Sequence, residues 1–219
     1  MIETESRDSY CGRSVLLTPG ATYRRLNVPG EDVLIGAGIH ICATYDGPFY
    51  NGKELVIMSG VEEGLFLTKF ATKVTILEVG DRLRASQILQ EKAASHPQIE
   101  VRLDTTVVEF KGDGKLESPV INVVNTEETE VMNPAAVFVF IGLLPNTGFV
   151  KDSVDLDQWG SITTTPTMET SLEGVFAAGD ARAGSTKQVA SAVGEWATAA
   201  LMIRQYLERT QGSRAYKGD

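Results

Sequence analysis

Two β-branched apolar runs, Glu54 to Met58 (ELVIM) and Lys73 to Leu77 (KVTIL), are separated by residues 59–72, which carry a helix-periodic pattern. Val61, Leu65, Phe66 and Phe70 fall near one face of such a helix. Strands joined by a helical crossover lie parallel, because the helix carries the chain back to the end of the sheet where it started. Residues 85–96 repeat the amphipathic pattern. Val137 to Gly142 (VFVFIG) is apolar throughout, as a strand covered on both faces is expected to be. From Ile99 the pattern changes: IEVRLDTTVVEF, the turn residues Gly112-Asp113-Gly114, and LESPVINVV read as an antiparallel hairpin. Gly174 to Asp180 reads as a further strand, and Gln188 to Glu208 as a long Ala-rich helix. The expected fold is α/β: a Rossmann-like parallel sheet with crossover helices, an antiparallel hairpin insert and a C-terminal helix.

The chain has 219 residues and a net charge of −9. That charge argues against nucleic acid and against an anionic membrane surface, both of which select clustered Lys and Arg. The longest apolar run, Ala135 to Leu144, is too short to span a bilayer, and the polar N-terminus carries no signal-peptide core. With only Cys11 and Cys42 there is no disulfide framework, so the cytoplasm is the expected compartment. Two His and two Cys at unrelated spacings give no metal site. His96, at the end of its helix, needs no function, and Glu127 to Glu130 reads as a solvated acidic loop.

Two short stretches carry the chemistry to be weighed. Leu34-Ile35-Gly36-Ala37-Gly38 starts like the G-x-G-x-x-G dinucleotide fingerprint, but the sixth position is Ile41 and no helix follows, so it reads as a loop entering a strand. His40 to Gly47 (HICATYDG) looks like a Cys-x-x-Cys redox motif whose second cysteine is Tyr45. A lone thiol cannot cycle through an intramolecular disulfide. His40 and Cys42, two apart on an expected strand, share a face, and Asp46 follows on the turn. A Cys–His pair with a carboxylate is a possible nucleophilic set for ester or lactone hydrolysis.

Taken together, LLTPGATYRRLNVPGED, CATYDGPFYNGKELVI, VEEGLFLTKFATKVTILEVGDRLRA, FVFIGLLPNT and METSLEGVFAAGDARAGSTKQVASAVGE resemble the low-molecular-weight thioredoxin reductases, flavoproteins with one FAD and one NADPH domain. The resemblance covers the NADPH domain and the C-terminal FAD-contacting strand and helix; no segment resembles the family's N-terminal FAD-binding Rossmann half. It implies three regions: 1–40 on the FAD side and linker, 41–150 as the NAD(P)-binding-like domain, and 151–219 as the FAD-contacting end. It also implies flavin contacts at Gly179, Asp180, Gln188 and Val189, and dithiol chemistry at Cys42. Trp196 stands where the family has a small Gly.

Further departures from the family fall at the nucleotide site. Where the family has a GGGNSA-like loop, Ser59-Gly60 runs straight into Val61-Glu62-Glu63. Ser59 and Glu62 have the spacing of a capping box, which would occupy the helix-end donors that hold a phosphate. Glu78 replaces the first residue of the family's His-Arg-Arg. Such an acid can bond an NAD ribose and repels the 2′-phosphate of NADP, although with the loop gone a solvated Glu at a strand end is the simpler expectation. FAD and NAD(P) are therefore implied by resemblance while the residues point to no cofactor. Three functions follow: a thioredoxin reductase-like protein impaired in flavin and dithiol chemistry, a cofactor-free hydrolase using Cys42, His40 and Asp46, or a non-catalytic scaffold. The expected partners are a small molecule or none, and a second copy of the chain in a homodimer.

Overall fold

The computed structural model describes residues 1–215. In chain order the elements are β1 (Ile2–Glu3), β2 (Ser9–Tyr10), β3 (Val15–Leu17), β4 (Ala21–Tyr23), α1 (Glu31–Leu34), β5 (Ile39–His40) and α2 (Ala43–Asp46), which runs into a 3-10 turn at Gly47–Tyr50. There follow β6 (Glu54–Met58), α3 (Val61–Leu67), β7 (Lys73–Leu77), α4 (Gln87–Ser95), β8 (Ile99–Arg102), β9 (Thr105–Lys111), β10 (Ser118–Val123), β11 (Thr129–Val131) and β12 (Ala136–Val139). The chain ends with β13 (Leu143–Pro145), β14 (Val175–Ala177) and α5 (Val189–Ala215). Among the described residues, no helix is long and apolar enough to cross a membrane.

Two compact units result: 23–142, and 1–22 with the described residues from 143 onward. The cuts thus fall at 22/23 and 142/143, whereas the sequence reading puts them at 40/41 and 150/151. Residues 23–40 go with the central unit because Leu34 and Ile39, both fully buried, belong to its core, with Leu26 and Val28 packed against it.

The central unit is built on a parallel sheet in the order β5-β12-β6-β7-β8. Its strands read as continuous apolar runs because both faces are covered. Leu55, Ile57, Val74, Ile76, Ala136 and Phe138 point to the side packed by Leu67 and Ala71 of the α3 segment. Val56, Met58, Leu77, Val137 and Val139 point to the other side, where Val107, Phe110, Leu116 and Ile121 close the core. That second cover is an antiparallel meander, β11-β10-β9.

The meander corrects two sequence expectations. The run from Ile99 is not one hairpin arm: it breaks at Asp104, which takes a left-handed φ of 48°, so that β8 joins the parallel sheet and β9 opens the meander. Thr129 and Glu130 of the expected acidic loop lie in β11, where Glu130 pairs with Arg102 at 2.7 Å.

The other unit joins β3 and β14 in parallel, with Leu16, Met168, Phe176 and the inner face of α5 (Ala199, Met202, Ile203, Tyr206) forming one small core. Ile162, Val150, Val154, Ala177 and Ala181 form a second.

Candidate functional site

In an open parallel sheet, loops at the carboxyl ends of the strands carry the chemistry, above all where neighbouring strands lead off in opposite directions. Here β6 leads to β7 on one side while β12 enters on the other, so that point lies between β6 and β12. The residues singled out in the central unit all sit at this edge: His40 ends β5, Ser59-Gly60 follow β6, Glu78 follows β7 and Phe140 follows β12.

At the end of β5 the strand is only two residues long, and Cys42 becomes the N-cap of α2 with an extended φ of −135°. The expected shared face of His40 and Cys42 therefore does not form. Cys42 and Tyr45 are exposed, Tyr45 at 74%, with its ring 6.3 Å from Phe49. The side-chain partners of buried His40 lie further along the chain. Asp46 Oδ1 is 3.4 Å from Nδ1, and Tyr50 Oη is 2.6 Å from Nε2. The Asp46-Gly47-Pro48 turn folds the segment back and seats closely on α3 and Phe70: a Cβ on Gly47 would come within 2.7 Å of Leu67 Cδ2 and 3.3 Å of Phe70 Cδ2. Phe138, beside His40 in the register of β12 and β5, places its ring 5.3 Å from the imidazole. Burial pulls the His40 pKa below the ordinary imidazole value, with the neighbouring Asp46 carboxylate opposing that shift. Burial, reinforced by the Asp46 charge, raises the Tyr50 phenol. His40 and Asp46 thus come together as expected, Cys42 stands apart, and Tyr50 takes the place it was expected to fill. Nothing periodic links Tyr50 to His40; only the Asp-Gly-Pro turn signals the reversal that brings them together.

At the β6–α3 turn the capping box does not form either. Ser59 and Gly60 both take left-handed conformations, φ 58° and 73°, and Gly60 is the N-cap without any side-chain cap bond. The Ser59 hydroxyl instead donates to Glu78 Oε2 at 3.0 Å. Glu78 is not the solvated strand-end residue expected: it is 1% exposed, its Oε1 has no hydrogen-bond partner, and Arg84 Nε lies 3.8 Å away.

These residues do not fit a dinucleotide. A pyrophosphate needs a glycine-rich turn that lets the backbone approach it. Here the two-residue turn is closed by Phe140, whose Cβ and Cδ2 would lie 2.7 Å from a Cβ on Gly60, and Glu63 Oε2 would lie 3.0 Å from it. Glu62 and Glu63 add two carboxylates in the first turn of α3, where an anion would otherwise be favoured. The acid that would meet a ribose already holds the Ser59 hydroxyl.

The residues resembling flavin contacts belong to the other unit. Gly179, at φ 85°, donates its N–H to Glu195 Oε2 at 2.8 Å, and Glu195 Oε1 pairs with Arg182 at 2.5 Å. The bond from Arg182, together with that from Gly179, holds the Glu195 carboxyl below its usual range. Lys187 Nζ donates to the Asp180 carbonyl. Gln188 and Val189 are exposed, as is Trp196, which fills no core. A phosphate seeking the Gly179 amide meets a carboxylate already bonded there.

Residues 2–195 match the family model described as pyridine nucleotide-disulphide oxidoreductase. The chain is 38% identical over 212 residues to a thioredoxin reductase of Treponema pallidum (strain Nichols), covering 95% of this chain and 69% of that one. It is 39% identical over 208 residues to a thioredoxin reductase of Bacillus subtilis (strain 168), covering 92% and 66%. The solved thioredoxin reductase from Giardia duodenalis superimposes with a TM-score of 0.83 at 33% identity, covering 94% of this chain and 69% of that one. The crystal structure of thioredoxin reductase from Streptococcus pyogenes MGAS5005 gives 0.80 at 37%, covering 90% and 66%. The chain spans about two thirds of the length of these curated relatives. On fold, sequence and matched length together, it belongs to the pyridine nucleotide-disulphide oxidoreductases, as a thioredoxin reductase-like member.

Proposed function

We propose that this chain keeps the thioredoxin reductase-like scaffold but has lost the flavin- and nucleotide-driven dithiol cycle, holding neither FAD nor NAD(P) tightly. One observation carries the reading: the position three residues beyond Cys42 is Tyr45, exposed and engaged with Phe49, so the chemistry that needs two thiols has one. The closed Ser59-Gly60 turn and the carboxylates of α3 support it from the nucleotide side. A hydrolase built on Cys42 finds no support in the geometry, because both nitrogens of His40 face other groups.

The test is an absorbance scan of the purified protein for flavin, followed by NADH- and NADPH-dependent reduction of a chromogenic disulfide with added FAD. The expected results are a colourless protein and no turnover; a yellow protein that reduces the disulfide would overturn the reading. The proposal includes a homodimer in the cytoplasm. Its support is the exposed row Val189, Val193 and Trp196, spaced along one face of α5. A monomeric mass by light scattering at tens of micromolar rejects the dimer.

A further inference from the structure

The lost redox cycle leaves three titratable groups connected and unused. An ionised carboxylate only accepts hydrogen bonds, so Asp46 beside Nδ1 fixes the proton of His40 on that nitrogen. Nε2 then presents a lone pair, and the Tyr50 hydroxyl, 2.6 Å away, donates to it. A hydroxyl bonded to an imidazole whose far nitrogen is oriented by a carboxylate is the arrangement that activates a weak nucleophile, whatever the fold and whatever the chain order.

The surroundings suit the same role. The elements packed around the imidazole are β12, α2 and the 3-10 turn; they bring Phe138 as an apolar wall, Asp46 and Tyr50, with Asp46 the one charge acting on it. Burial keeps His40 unprotonated at neutral pH and so ready to accept a proton, while the raised Tyr50 phenol keeps its own until a base removes it. Tyr50 is half-buried, with its ring 6.1 Å from Phe138.

We propose that Asp46, His40 and Tyr50 form a hydrolytic triad in which Tyr50 Oη is the nucleophile toward small, activated carboxylic esters. Tyr50 Oη forms a bond to the acyl carbon while its proton passes to His40 Nε2. The ester C–O bond then breaks, and the leaving alcohol takes that proton. Water, giving a proton to His40, attacks the resulting aryl ester; the acid departs and the proton returns to Tyr50. The step is redox-neutral and consumes only ester and water.

The experiment follows hydrolysis of p-nitrophenyl acetate by the full chain, with peptide mass spectrometry of acid-quenched samples. The expected result is an acetyl group on Tyr50, a rate that falls on acidification as His40 takes up a proton, and a loss of about a hundredfold in Tyr50→Phe. Tyr50→Phe keeps the ring and removes only the hydroxyl, and the acetyl position is read on the unaltered protein, so neither result depends on a variant that fails to fold. Acetyl found only on Cys42 or on lysines, a rate no higher than buffer, or an undiminished rate in a folded Tyr50→Phe would overturn the proposal.

Discussion

Two carboxylates stand at the same edge of one sheet, and they have been treated in opposite ways. Glu78, after β7, is buried with one oxygen bonded to Ser59 and the other without a hydrogen bond, 3.8 Å from Arg84 Nε. Asp46, the last residue of α2, is partly exposed and faces an imidazole that is itself bonded to Tyr50. In the first, a short turn folds in and a hydroxyl of the chain itself meets the acid. The second is a complete chain of donors and acceptors. A strand-end carboxylate is therefore informative through its partners, not through its position.

The comparison breaks most severely at Phe138, whose ring packs beside His40 and lies in the helix-side core of the sheet. Phe138→Ala is expected to lose about 3–5 kcal/mol of stability by urea unfolding, and to disorder the His40 corner while leaving the Ser59 turn the less affected of the two. A smaller effect sharpens the other corner. Ser59→Ala leaves both oxygens of buried Glu78 without a hydroxyl partner, and should cost about 1.5–3 kcal/mol in the same assay. Ser59→Gly, which relieves the left-handed backbone at this position, should cost less than Ser59→Ala. Equal losses would show that strain at Ser59 is negligible.

The pH dependence separates the two corners again. His40 is depressed by burial in the folded chain, so between its folded value and the ordinary value near 6.5 the unfolded chain binds the extra proton. The stability linked to His40 is therefore complete above about pH 6.5 and is lost as the pH falls below that. His40→Gln should flatten the acid side of the stability profile, and Asp46→Asn, by removing the opposing carboxylate, should lower the imidazole further in an NMR titration. An unchanged His40 titration in Asp46→Asn would mean that the pair does not interact. The smallest effect is expected at exposed Cys42: Cys42→Ser should leave unfolding midpoint and ester hydrolysis nearly unchanged, and a lost activity would return the nucleophile to the thiol.

The amino-acid sequence by itself determined the parallel sheet, because ELVIM, KVTIL and VFVFIG are apolar on both alternating faces and the segment between the first two is helix-periodic. It also determined that Cys42 has no partner thiol at Tyr45, since that is a matter of residue identity. Local pattern failed where long-range contacts chose the backbone. The chain breaks at Asp104 because β8 and β9 are claimed by different sheets, which no window of residues registers. The Ser59–Glu62 spacing suits a capping box, yet the Ser59 hydroxyl turns to Glu78, from which it is separated by a whole crossover. Tyr50 reaches His40 through the 3-10 turn, which packs at Gly47 against Leu67 of α3. Hydrophobic periodicity records which face of an element is buried; which polar groups meet at the sheet edge depends on how the loops pack there, and only the tertiary structure decided that.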